Sequence, residues 1–184
     1  MNCNNDNKKI TYQIDNKPAC HNRDKIYGCI SGGAIGDALG YPVEFLSEKE
    51  IFDKYGKNGI REYELSNGEA LISDDTQMTM FTITAMLCCE KMFDLNSNGS
   101  WPPNEAYYHY RDWFKTQTKS YEDCSKFDRI YSWLMKEKRM YAKRAPGNTC
   151  LNALSNNNKC SIDNRINDSK GCGGLMRVAP VGLV

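Results

Sequence analysis

The spacing of apolar residues predicts helices along most of the chain. Apolar residues recur at intervals of three and four, as on one face of an α-helix, and strand-like alternation is scarce. The predicted helices cover residues 26–40, 73–92, 103–114 and 127–142, with a short helix at 149–155. Residues 44–71 are predicted as a loop region with turn signals at Gly56, Gly59 and Gly68. The pattern therefore predicts an all-α fold.

The first predicted helix carries a glycine at every fourth position, which leaves one of its sides without side chains. These residues are Gly28, Gly32, Gly36 and Gly40. Each glycine costs about 0.5–1 kcal/mol relative to alanine, so a compensating interaction is expected. Close packing against another backbone is the favoured explanation. Room for a ligand or a metal cluster beside the helix is the alternative.

The two ends of the chain differ from its centre. Residues 1–24 are rich in Asn, Lys and Asp and predict a mobile N-terminal extension, which leaves residues 25–184 for the domain. Seven of the last ten residues are apolar, and no capping residue follows them. Such a stretch indicates that partner elements are missing, and a helix end that closes the domain is the alternative.

Composition and charge exclude several classes of protein. Lys and Arg total 24 and Asp and Glu total 23, and this near-neutral balance argues against a dedicated nucleic-acid binder. The sequence has no run of the ~18 apolar residues that a membrane span needs, and its polar start lacks a signal peptide. Nine cysteines without a C-x-x-C pair favour free thiols in the cytoplasm. The basic run at residues 136–139 is predicted to be a solvated face.

The strongest local signal for chemistry is the run Ser73-Asp74-Asp75 at the start of the second predicted helix. From spacing alone, helix capping is the favoured interpretation, because serine and acidic residues suit a helix N-terminus. The alternative is a hard-cation site, since adjacent carboxylates and a hydroxyl supply the oxygen ligands that Mg²⁺ prefers. Glu44 is the natural additional carboxylate for such a site.

Two glycine-rich segments, residues 145–149 and 169–174, are the second signal. Loops of this kind can present backbone N–H groups to phosphate oxygens. Neither segment matches the P-loop or the strand-flanked dinucleotide-binding pattern. Turn glycines are therefore the default interpretation for either loop taken alone.

Four segments, in order along the chain, closely resemble a known family. They are GGAIGDALGYPVEF at 32–45, ISDDTQM at 72–78, GNTC at 147–150 and GCGGLMRVAP at 171–180. Together they resemble the ADP-ribosylglycohydrolases. The resemblance implies a compact multi-helix all-α fold with a cluster of two Mg²⁺ ions, or Mn²⁺, in a central cleft.

The resemblance also implies roles for individual residues. Ser73, Asp74 and Asp75 match the family's metal ligands, and Glu44 matches a glutamate that positions or activates water at the metal centre. Asp37 is expected to support the site by hydrogen bonding. Six residues match loops that hold the diphosphate and ribose of ADP-ribose: Gly147, Asn148, Ser169, Gly171, Cys172 and Gly173.

The implied function is metal-dependent hydrolysis of the N- or O-glycosidic bond between ADP-ribose and a modified protein side chain. The partner would be an ADP-ribosylated protein or an ADP-ribose-containing small molecule. In such chemistry a carboxylate deprotonates water while the glycosidic bond gains oxocarbenium character. The alternatives are a non-catalytic ADP-ribose-binding module and a degenerate structural relative.

Three departures from the family pattern limit the expected activity. Ala145 occupies a position where some members have an aspartate proposed as a base, and Cys172 replaces an asparagine. The sequence also contains no Asp-x-Asp, the C-terminal motif that completes the family's metal cluster. We therefore expect an N-terminal fragment or truncated form with weak metal binding and little turnover.

Overall fold

The computed structural model describes residues 20–94, 102–156, 159–161 and 163–183. The helices are α1 (Cys20–Gly40), α2 (Glu48–Tyr55), α3 (Asp74–Asp94), α4 (Pro102–Thr118) and α5 (Asn148–Ser155). Short 3-10 helices cover Tyr41–Val43, Tyr121–Lys126, Trp133–Lys136, Lys138–Tyr141, Cys172–Arg177 and Ala179–Gly182. Strands β1 (Leu65–Ser66) and β2 (Glu69–Ala70) form an antiparallel hairpin. The all-α prediction is confirmed, and no described helix is long and apolar enough to cross a membrane.

The first helix begins earlier than the sequence pattern predicted. Residues 1–19 of the predicted extension lie outside the described residues, whereas α1 already starts at Cys20. Its first six residues are mostly polar, so apolar periodicity could not reveal them. The helix ends at Gly40 as predicted, and a 3-10 turn containing Pro42 follows.

The core lies between α3 and α4. Met78 and Phe81 of α3 are fully buried, as the predicted apolar stripe requires, and they pack in one cluster with Trp113 of α4. The indole Nε1 of Trp113 donates a hydrogen bond to Gln77 Oε1 at 3.2 Å, so its polar edge is also satisfied. These contacts fix the rotation of α3 about its axis, which places its first residue, Asp74, beside Gly147.

The predicted fourth helix at residues 127–142 is wrong. The segment is extended apart from the 3-10 helices Trp133–Lys136 and Lys138–Tyr141. The buried carboxylate of Asp112 accepts hydrogen bonds from the backbone N–H groups of Tyr131 at 2.6 Å and Ser132 at 2.9 Å. Because such bonds offer the backbone an alternative to helical hydrogen bonds, the tertiary contact overrides the apolar spacing.

The region 44–71 is more ordered than the predicted loop. It contains α2, which begins with a capping box: Glu50 Oε2 accepts from the backbone N–H of Ser47 at 2.7 Å, and Ser47 Oγ accepts from that of Glu50. Asn67 and Gly68 both have positive φ and close the β1–β2 hairpin. The predicted turns are therefore confirmed, whereas the helix that precedes them was missed.

Loss of the capping box should destabilise the chain measurably. We expect Ser47→Ala to lower the free energy of unfolding by about 1 kcal/mol, because the backbone N–H of Glu50 loses its side-chain acceptor at the start of α2. Urea unfolding followed by circular dichroism measures the effect. Ser120→Ala is the matched control, because Ser120 precedes a 3-10 helix without capping it. Equal effects of the two substitutions would contradict a stabilising role for the capping box.

The glycine side of α1 is open. A Cβ built at Gly28, Gly32, Gly36 or Gly40 would meet no atom within 4 Å. The favoured explanation of close packing is therefore wrong for the part of the chain that the structure describes. The last three of these glycines line a cavity of about 650 Å³ between α1 and α3, which agrees with the alternative explanation.

Two expectations about side chains are confirmed. The basic side chains of the run 136–139 are exposed, as a solvated face requires. Cys29, Cys89, Cys124, Cys150, Cys160 and Cys172 are free thiols. Of these six, Cys150 is buried beside the candidate site described next, and Cys172 lies exposed at its edge.

Candidate functional site

The start of α3 is held by a carboxylate from α1. Asp37 Oδ2 accepts hydrogen bonds from the backbone N–H groups of Ser73 at 2.9 Å and Thr76 at 3.2 Å. Ser73 Oγ accepts from the backbone N–H of Asp75 at 3.2 Å. Asp37 therefore supports the site by hydrogen bonding, as predicted. Because Asp37 and Ser73 already cap the helix, capping alone does not explain why positions 74 and 75 carry acidic side chains.

Asp74 is nearly inaccessible, with 4% of its surface exposed. Its Oδ2 accepts a hydrogen bond from the backbone N–H of Gly147 at 3.1 Å, and its own N–H donates to the carbonyl of Arg144. The pKa of the Asp74 carboxyl is raised to about 6, first by burial and then by the nearby charges of Asp75 and Glu44. The Gly147 hydrogen bond offsets part of this increase.

Glu44 and Asp75 show the same kind of perturbation. Burial is the main cause that raises the pKa of each carboxyl, and the charge of Asp37 adds to it in both cases. Asp75 also raises the pKa of Glu44. No Lys or Arg forms an ion pair with Asp74, Asp75 or Glu44 among the described residues. The group is therefore an acidic cluster without a protein cation to balance it.

The structure brings most of the predicted site residues into one cleft of about 350 Å³. Its lining includes Glu44, Asp74, Asp75, Gly147, Asn148, Ser169, Gly171, Cys172 and Gly173. Ser73 alone lies outside this cleft, and it lines the adjacent 650 Å³ cavity together with Glu44 and Asp75. The hydroxyls of Thr149 and Ser169 lie 3.2 Å apart and join the two glycine-rich loops.

The two glycine-rich loops meet around the thiol of Cys150. A Cβ on Gly173 would lie 2.9 Å from Cys150 Sγ, which is too close for any side chain without a shift. A Cβ on Gly147 would lie 3.8 Å from the same sulfur atom and 3.9 Å from Asp74 Oδ2. Glycine at position 173 therefore permits the close approach that forms this wall of the cleft.

Sequence reasoning missed Arg177, which also lines the cleft. It lies within the run Leu-Met-Arg-Val that served only to establish the resemblance. A single basic residue in an otherwise apolar run was the available signal, because such a charge needs either solvent or a partner.

The acidic cluster offers the kind of ligand atoms that a magnesium site needs, but it offers too few of them. Carboxylate oxygens of Asp74, Asp75 and Glu44 and the hydroxyl of Ser73 are hard ligands of the type that Mg²⁺ takes. However, over the described ranges no three His, Cys, Asp or Glu side chains are grouped closely enough to hold a metal ion. The residues described here would therefore supply only part of the ligands that such a site needs.

Comparisons with known proteins identify the family of this chain. The family model described as ADP-ribosylglycohydrolase matches residues 19–184. An uncharacterized protein of Archaeoglobus fulgidus is 30% identical over 168 residues, which cover 88% of this chain and 43% of that protein. The chain thus spans less than half the length of this relative. No solved structure matches the chain. The chain belongs to the ADP-ribosylglycohydrolase family.

Proposed function

We propose that this chain contributes to a metal-dependent site that hydrolyses the glycosidic bond between ADP-ribose and a modified protein side chain. The observation that carries the proposal is the shared cleft: carboxylates from two segments and both glycine-rich loops line it together. Family membership supports a glycoside hydrolase, and the composition of the cleft supports a ligand with both a sugar and phosphates.

In this proposal, the acidic residues would bind the metal ion and the glycine-rich loops would bind the rest of the ligand. Asp74 and Asp75 would bind Mg²⁺ or Mn²⁺ through carboxylate oxygens, with Ser73 beside them. A divalent ion held by these residues would supply a positive charge that orients sugar hydroxyls and polarises water. Glu44, which is exposed and has a raised pKa, would accept the proton of the attacking water. The loops around Gly147 and Gly173 would hold the diphosphate.

A non-catalytic ADP-ribose-binding module is the second candidate function. It is favoured by one observation: within the described residues the acidic cluster does not form a complete group of metal ligands. A module of this kind would bind through the glycine-rich loops whether or not a metal ion is present.

Calorimetry with ADP-ribose distinguishes the two candidates. For the hydrolase we expect millimolar Mg²⁺ to strengthen binding by at least about tenfold, or 1.4 kcal/mol. The Mg²⁺ effect should vanish in Asp74→Asn and Asp75→Asn and persist in the control Asp128→Asn, an exposed carboxylate outside the cleft. Equal binding with and without Mg²⁺ would favour the module, and no binding in either condition would refute both.

Hydrolysis itself is tested with the same proteins. ADP-ribosylarginine and ADP-ribosylserine peptides are incubated with the wild-type chain and Mg²⁺, and released ADP-ribose is measured by chromatography. We expect slow release that stops when EDTA is added, because the described residues hold only part of a metal centre. Release that continues unchanged in EDTA would contradict a metal-dependent mechanism.

A further inference from the structure

Arg177 has an unusual environment for a charged side chain. It is half-buried at the end of the 3-10 helix Cys172–Arg177. Its Nη1 lies 3.1 Å from Met78 Sδ and 3.8 Å from Cys150 Sγ, and its guanidinium lies 4.4 Å from the ring centroid of Tyr110. Sulfur atoms and an aromatic ring thus form the surface on which the cation rests.

The guanidinium has no anionic partner in the part of the chain that the structure describes. No carboxylate pairs with it, and its two hydrogen-bond contacts are both to sulfur atoms, which are weak acceptors. A guanidinium carries five N–H donors in a planar fork that matches phosphate and carboxylate oxygens. Most of the donors of Arg177 are therefore available to a bound anion.

Arg177 contacts the glycine-rich loops at the thiol of Cys150. Asp74 Oδ2 and Cys150 Sγ both approach Gly147, and Arg177 Nη1 then contacts the same Cys150 sulfur atom. Arg177 is the one Lys or Arg among the residues lining this cleft, which also holds Asp74, Asp75 and Glu44. The lining of the cleft therefore combines three acidic residues with a single cation.

We infer that Arg177 is the anion-binding residue of the cleft and holds the diphosphate of its ligand. A phosphate group in the cleft is expected at Arg177 and not at the carboxylates, because the guanidinium attracts it and the acidic residues repel it. That the anion is the diphosphate of ADP-ribose rests on the proposed function, whereas the binding of a phosphate group at Arg177 does not.

Protection of Arg177 from chemical modification tests this in the wild-type chain. Phenylglyoxal modifies accessible arginine side chains, and peptide mass spectrometry reports the rate at each position. Pyrophosphate at ten times its Kd should slow modification of Arg177 by about tenfold, since the anion occupies the guanidinium. Arg61, which is exposed and lies outside the cleft, should react at an unchanged rate. An Arg177 that never reacts, or that reacts equally with pyrophosphate present, would overturn the inference.

Substitution gives an independent test by calorimetry without metal. Arg177→Met should weaken pyrophosphate binding at least about tenfold, and Arg177→Lys should cause a smaller loss because the charge remains without the planar fork. Arg61→Met is the control with the same change in charge and should bind as the wild type does. If Arg177→Met does not fold, Arg177→Lys and the protection experiment decide. A wild-type chain that binds no pyrophosphate would contradict the assignment.

The two proposals fail in different ways. If Arg177→Met binds ADP-ribose as tightly as the wild type, the role of Arg177 is wrong and the hydrolase proposal stands. If Arg177 binds pyrophosphate but Mg²⁺ changes neither ADP-ribose binding nor hydrolysis, the metal-dependent function is wrong and the anion site stands.

Discussion

Asp74→Asn is expected to stabilise the metal-free chain at pH 7.5. Asp74 is 4% exposed and lies beside two further carboxylates, and these conditions raise the pKa of its carboxyl to about 6. Asparagine keeps an oxygen to accept the Gly147 hydrogen bond and removes the charge. We expect a gain on the order of 2 kcal/mol in the free energy of unfolding, or about 4–8 °C in Tm, measured in EDTA.

The gain from Asp74→Asn should depend on pH in a defined direction. The folded chain holds the Asp74 proton up to about pH 6, whereas the unfolded chain releases it near the ordinary pKa of 3.8. The contribution of Asp74 to the free energy of unfolding of the wild type therefore falls as the pH rises from about 4 to about 6. Above that range its full destabilising effect is present. The difference between variant and wild type should be largest at pH 7–8 and vanish below about pH 4.

Asp128→Asn is the matched control for this prediction. Its side chain is exposed, so its effect should stay within about 0.5 kcal/mol at every pH. A lower melting temperature for Asp74→Asn at pH 7.5 would show that the acidic cluster does not destabilise the metal-free chain. Such a result would also remove the physical reason to expect a cation there.

Asp112→Ala should be among the most destabilising substitutions in the chain. Asp112 is fully buried, and its carboxylate accepts from Tyr131 and Ser132 and pairs with Lys115 at 2.7 Å. Alanine would leave two backbone N–H groups without partners in the interior. We expect a loss of about 3 kcal/mol in the free energy of unfolding, or about 6–12 °C in Tm. Calorimetry measures the shift.

Hydrogen exchange locates the effect of Asp112→Ala. The amides of Tyr131 and Ser132 should lose protection, because both currently donate to the carboxylate. Asp123→Ala provides the comparison: it removes a surface carboxylate paired with Lys126 at 2.6 Å and should change the free energy of unfolding far less. If Asp112→Ala and Asp123→Ala lower the free energy of unfolding equally, Asp112 does not hold residues 127–142 in their non-helical conformation.

The helices α3 and α4 could be predicted from sequence because their apolar residues recur at helical spacing and become the core. Met78, Phe81 and Trp113 lie where that spacing placed them. Residues 127–142 have similar spacing, and Leu134 is indeed buried. Their conformation is decided instead by Asp112, a residue of another element. Apolar periodicity cannot report a hydrogen bond made across the fold, so this segment could not be predicted.

The candidate site also has a part that could be predicted from the sequence and a part that could not. Family motifs could identify Asp74, Asp75 and the glycine-rich loops, because each motif is a local run of residues. The role of Arg177 could not be read from a run, since it depends on which groups surround the guanidinium. Two sulfur atoms and a tyrosine ring, contributed by three separate elements, surround that cation, and no carboxylate of the described residues pairs with it.

The carboxylate that caps α3 has a consequence for attempts to reproduce the acidic cluster elsewhere. Asp37 precedes Ser73 by 36 residues, yet it fixes the backbone from which Asp74 and Asp75 project. A synthetic peptide spanning residues 72–94 lacks that acceptor, and grafting Ser-Asp-Asp onto a foreign helix omits it as well. Transplantation therefore requires the α1 turn together with α3, as one two-helix unit.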